Sequence, residues 1–234
     1  MQNEIQLREV VLKRENTLLK NVYSIMAVGL LLTAFISYFT SRSSFMLNLI
    51  FSNPIIPIVL IVAQFGLVLS LSARIAKLER NTALTLFLVY SALNGLSLSS
   101  IFIVYAQTTI YKAFFSAAFM FVGVSLYASV TKRNIAAWSR YLMMGLFGLL
   151  GASLLNIFFH SSAMDFMISI FGVVLFLGLT IYDTKKILSM NNEYGSVMNE
   201  DELVKIAVLG ALNLYLDFIN IFMYLLRIFA RADD

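Results

Sequence analysis

The sequence predicts an all-helical integral membrane protein of seven spans, on three observations. Hydrophobic residues make up 60% of the 234-residue chain and charged residues only 13%, against roughly 25% charged in a soluble domain. Cutting the chain at its charges leaves apolar runs close to the roughly 20 residues that a helix needs to cross a bilayer. The runs are continuous rather than alternating, which selects helices, since an open strand edge does not survive in hydrocarbon.

The chain opens on residues 1–21, a tail carrying Glu4, Arg8, Glu9, Lys13, Arg14 and Glu15. It is too polar and too acidic for a cleaved signal peptide, so the first span serves as the targeting signal. Residues 22–234 then read as one seven-helix transmembrane domain. The spans fall at Val22 to Thr40, Ile55 to Ala73, Thr82 to Ala106, Ala113 to Val130, Tyr141 to Phe159, Met164 to Tyr182 and Val204 to Phe229. The connections are short: Ser41 to Pro54, Arg74 to Asn81, Gln107 to Lys112, Thr131 to Arg140 and His160 to Ala163. The longest polar stretch, Asp183 to Leu203, reads as the largest loop.

Thirteen of the seventeen Lys and Arg residues fall in the tail and in the links after spans two, four and six, with Lys205 at the start of the seventh span counted among them. By the positive-inside rule the N-terminus is cytoplasmic and, with seven crossings, the C-terminus lies outside. A re-entrant seventh segment would instead put both ends inside. The net charge of +4 therefore records topology, and nucleic acid is not expected as a partner. Trp138, Tyr23, Tyr38, Tyr111, Tyr141 and Tyr182 sit near span ends, as an aromatic belt requires. Ser91, Gly95 and Ser99 in the third span, and Gly148 with Ala152 in the fifth, are spaced to let helix backbones approach.

Chemistry is scarce. The chain has no cysteine and one histidine, His160, which sits in an outer link. No nucleophile elbow, zinc motif or phosphate loop occurs, so neither an enzyme nor a resident cofactor is expected. The exception to the apolar spans is Asp217. A carboxylate at mid-bilayer costs roughly 2.5 to 3.5 kcal/mol even on the lenient insertion scale, so it must face protein or water. Gly210, Asn213, Asp217, Asn220 and Tyr224 share one stripe of the last helix, opposite Leu212, Leu216, Ile219, Met223 and Leu226. That stripe calls for a central helix wrapped by the others. A simpler reading keeps Asp217 as a permanently protonated donor that locks helices together. Asp183, at the cytoplasmic end of the sixth span, reads alone as an interfacial helix-end residue. Paired with Asp217 it becomes a proton-operated switch, because two close carboxyls cannot both ionise cheaply. The two lie about 10 Å apart in depth by helical rise, an offset that tilt or an early start of the seventh helix closes.

The runs Val174-Leu175-Phe176-Leu177-Gly178-Leu179-Thr180-Ile181-Tyr182-Asp183-Thr184-Lys185-Lys186 and Leu209-Gly210-Ala211-Leu212-Asn213-Leu214-Tyr215-Leu216-Asp217-Phe218-Ile219-Asn220 resemble the Bax inhibitor-1 family, the transmembrane Bax-inhibitor-motif proteins, in its bacterial inner-membrane branch. Tyr90 to Ser100 and Ser125-Leu126-Tyr127 extend the likeness over nearly the whole chain. The resemblance implies six helices around a central seventh and a pH-sensitive passive calcium leak. It implies a di-aspartate sensor at Asp183 and Asp217, both in transient contact with calcium, and a latch at Arg74. The alternative role that the family implies is a non-transporting interaction protein that binds other membrane proteins in proteostasis or stress survival. The surface for it is the acidic link Asn191 to Glu202, whose carboxylates otherwise only cap the seventh helix.

Overall fold

The computed structural model describes residues 2–131, 135, 137–194 and 199–233. Lys132 and Arg133 of the basic link, residues 195–198 of the acidic link and both terminal residues lie outside the described residues. Every regular element among the described residues is helical: α1 (Gln2–Ser41), α2 (Ser44–Phe51), α3 (Ile55–Arg74), α4 (Arg80–Leu98), α5 (Ile101–Val104), α6 (Gln107–Val130), α7 (Trp138–Phe159), α8 (Ser162–Tyr194) and α9 (Glu200–Asp233). Seven segments are long and apolar enough to cross a membrane: α1, α3, α4 with α5, α6, α7, α8 and α9. The chain is thus an all-α, seven-span membrane protein.

Several boundaries differ from the sequence reading: α1 already takes in the tail from Gln2, and α6 the link Gln107 to Lys112. The link after the first span contains α2, started by Ser43, whose hydroxyl accepts from Met46 N at 3.3 Å. The third span breaks after Leu98, where Ser99 donates to Leu96 O at 2.6 Å and Ser100 to Ser97 O at 3.2 Å. Hydroxyls turned back on their own helix compete with its ladder, and the short α5 follows. The polar stretch after Tyr182 is not one loop, because α8 continues to Tyr194 and α9 begins at Glu200. Thr180, Thr184, Ile187 and Leu188 are all buried, so the apolar period persists past the charges of Asp183, Lys185 and Lys186. At the other end of the gap Asn199 Oδ1 accepts from Glu202 N at 2.9 Å, and Glu202 Oε2 accepts from Asn199 N at 3.1 Å. This reciprocal capping box starts α9 four residues before the hydrophobic run.

The chain packs as two compact units: Met1–Val104 with Ile187–Tyr215, and Tyr105–Lys186 with Leu216–Asp234. In the first unit α1 crosses α4 at very short range. A Cβ on Gly29 would stand 2.6 Å from the Phe87 ring, and one on Gly95 would stand 2.8 Å from Thr33 O. Ser91 and Ser99 are fully buried, so the third-span seam is present. At the crossing the Thr33 hydroxyl lies 2.9 Å from Gly29 O, 2.8 Å from Ser91 O and 2.6 Å from the Tyr215 hydroxyl. A hydroxyl has one proton, so Tyr215 donates to Thr33, which passes its own proton to one of the two carbonyls. Phe87 and Tyr90 meet the Tyr215 ring edge-on at 5.8 and 5.6 Å, an arrangement that favours the ring quadrupoles. Gln64 ties α3 to α4 through Leu93 O at 3.0 Å and Ser97 Oγ at 2.7 Å.

In the second unit an aromatic ladder joins α6 to α9. Phe114 meets Phe218 and Phe222, and Phe121 meets Phe218 at 5.7 Å between ring centres. The fifth-span seam expected at Gly148 and Ala152 is absent: Gly148 is exposed, with open space where a Cβ would stand. The close approach of α7 falls instead at Gly145, where a Cβ would stand 2.9 Å from Leu175. Helical spacing identified the small residues, but only packing decides which of them a neighbour uses. The last span is the most enclosed, with 61% of its most apolar window buried against at most 39% in any other.

Candidate functional site: two carboxyls in the second unit

Asp217 stands at the middle of the 34-residue α9 and is only 4% exposed. Its Oδ2 has no hydrogen-bond partner among the described residues. Two groups of α8 act on it: the charge of Asp183 and the hydroxyl of Thr180 as a hydrogen-bonding group. Thr180 also donates to Phe176 O at 2.8 Å, which holds its side chain against its own helix. Asp183 is half-buried and feels the ammonium of Lys186 one turn on. Neighbouring Lys185 is directed away, its Nζ donating to Thr131 O at the end of α6. Thr184, one turn after Thr180, is fully buried with an unpartnered hydroxyl.

Other residues of the sequence reading fall elsewhere. Arg74 is exposed as the last residue of α3, in the first unit. Gly210 is buried in the first unit, where a Cβ would stand 2.8 Å from Ile187 and 3.2 Å from Val22. Asn213 is half-buried. Asn220 donates to Leu216 O at 2.8 Å within its own helix. Tyr224 packs on Gly172 and stands 6.0 Å from the Phe176 ring, with the Arg227 guanidinium 5.6 Å from its own centre. Leu212 and Leu226, expected on the opposite side of the stripe, are fully buried. The last helix therefore buries apolar residues on the side opposite the stripe as well as Gly210 and Asp217 within it.

The chemistry on offer is that of carboxyl and hydroxyl oxygens. A buried carboxylate with an unpaired oxygen is expensive, and a second carboxyl beside it cannot ionise independently. The pair therefore accepts a proton or a hard cation far more readily than it accepts isolation. No group of three or more His, Cys, Asp or Glu placed to hold a metal occurs among the described residues.

The model of the family described as inhibitor of apoptosis-promoting Bax1 matches residues 15–234. The chain belongs to the Bax inhibitor-1 family. Among its relatives is inner membrane protein YbhL of Escherichia coli K12, 45% identical over 215 residues, covering 92% of each chain. An uncharacterized protein of Borreliella burgdorferi is 44% identical over 222 residues, covering 94% of this chain and 93% of its own. Another, from Rickettsia prowazekii, is 37% identical over 213 residues, covering 91% and 89%. Within this Bax inhibitor-1 chain, two residues beside the carboxyls escaped the sequence reading. Thr180 and Thr184 are hydroxyls four apart that straddle Asp183, a spacing that puts both on one helical face. That signal was visible and was passed over in favour of the charges.

Proposed function

We propose that this protein is a passive, proton-gated cation leak of a bacterial inner membrane, with calcium as the permeant ion and Asp183 and Asp217 as the sensor. The observation that carries the reading is a carboxyl buried at the middle of the last span, with one oxygen unpartnered and the Asp183 charge acting on it. With both carboxyls ionised, their repulsion and the cost of an unpaired buried charge favour a looser, hydrated packing. With a proton on the pair, the tight packing is favoured. The switch is thus a population shift between two packings, biased by one proton. Arg74 keeps the latch role that the resemblance implies. The basic tail and links support a cytoplasmic N-terminus, and the likeness to an inner membrane protein of Escherichia coli supports the inner membrane.

Purified protein in liposomes tests this directly. Asp217→Asn keeps the shape of the side chain and removes its titration, so calcium permeation is expected to persist with its pH dependence flattened. A variant with the wild-type pH profile overturns the sensor. The alternative, a non-transporting partner of other membrane proteins, draws on the acidic link. Two of its carboxylates are engaged inside the chain: Glu202 in the capping box and Asp201 facing Arg80 at 3.7 Å. That reading ranks second, and a stoichiometric membrane partner without ion flux would reverse the order.

A further inference from the structure

Among the described residues the second unit holds three buried polar atoms without a hydrogen-bond partner: Asp217 Oδ2, Thr184 Oγ1 and Ser125 Oγ. Their residues are 4%, 0% and 5% exposed. Buried polar groups are almost always partnered, so three orphans in one unit call for a common cause. They come from three helices. On α6 the residues Ala117, Phe121, Ser125 and Ala128 are buried and follow one face. Phe121 of that face meets Phe218, the residue after Asp217. Beyond Ser125, Thr131 O accepts from Lys185, the residue after Thr184. Ser125 therefore lies along α6 between a contact beside Asp217 and a contact beside Thr184, on the face that α6 turns to α9.

We propose that Ser125, Thr184 and Asp217 form an oxygen-lined binding step for a partly dehydrated divalent cation. It rests on the cation-leak reading and adds to it a third wall from α6. Hydroxyl oxygens are neutral acceptors and the carboxylate supplies the charge, a donor set that suits a hard cation and not a soft metal. Two carboxyls give too few oxygens to replace the hydration of such an ion. The hydroxyls raise that number without adding a charge that must be buried.

The test uses the full chain with Thr184→Val and Ser125→Ala, which keep nearly the same volume, and Thr184→Ser, which keeps the hydroxyl. Two quantities are read: the calcium concentration giving half-maximal influx into proteoliposomes, and the rise in unfolding temperature that calcium gives the detergent-purified protein. Thr184→Val and Ser125→Ala are expected to raise the half-saturating concentration roughly tenfold and to abolish the calcium-induced rise. The pH midpoint of flux stays unchanged and Thr184→Ser behaves as wild type. Wild-type values in both hydroxyl-free variants overturn the site while leaving the proton sensor standing. A calcium-induced rise lost in those variants, in a protein that passes no calcium, keeps the site and removes the leak. A rise given equally by sodium overturns the divalent assignment.

Discussion

At the scale of single residues the second unit is governed by close approach. A Cβ on Gly172 would stand 2.6 Å from the Tyr224 ring, and that ring also meets the Phe176 ring and the Arg227 guanidinium. Gly172→Ala must push an aromatic ring and is expected to destabilise by about 1 to 3 kcal/mol, read as a lower unfolding temperature in detergent. Gly148→Ala, on an open face of α7, is expected to be neutral in the same assay. The contrast shows what sequence spacing can and cannot say. Gly148 carries the small-residue spacing and Gly172 does not, yet it is Gly172 that a neighbour crowds, through an aromatic residue 52 positions away. Asp217 was the opposite case. Its cost in an apolar run is a local property of the sequence, so its burial was readable without any knowledge of its neighbours.

At the scale of elements, helix ends carried the surprises. Seven apolar runs gave seven spans because length and hydropathy act over about twenty residues and average out local detail. The ends do not average. The extension of α8 through two lysines depends on Ile187 and Leu188 finding buried sites, a tertiary fact. The start of α9 was legible in principle, since Asn199 followed three residues later by Glu202 is a capping-box spacing, and the acidic residues were indeed weighed as caps. Asn199→Ala is expected to cost about 1 kcal/mol and to fray the first turn of α9, measured as faster amide exchange at residues 200–203. Tyr215 and Thr33 belong to this scale too. Their bond joins α1 to α9 across 182 residues of sequence, and nothing local announces it.

At the scale of the whole molecule the basic residues predict the orientation: a tail and three links rich in Lys and Arg against a side holding Arg42, Lys112, Arg227 and Arg231. A reporter fused after residue 234 is expected to read outside, and an inside signal would replace the seventh crossing with a re-entrant segment. On that same side the end of α9 is tied down twice. Asp233 accepts from Thr109 at 2.6 Å and from Lys112 at 3.0 Å, and Arg227 faces Asp165 at 3.6 Å. The placement of Asp217 midway along its helix has one more consequence. One elementary charge crossing the whole membrane gains about 2.3 kcal/mol per 100 mV, so a proton travelling halfway to reach Asp217 gains about half of that. On the proposed reading of Asp217 as a sensor, a carboxyl at mid-depth would read the membrane voltage together with the acidity, so that flux at a fixed pH is expected to change with the voltage across the liposome membrane.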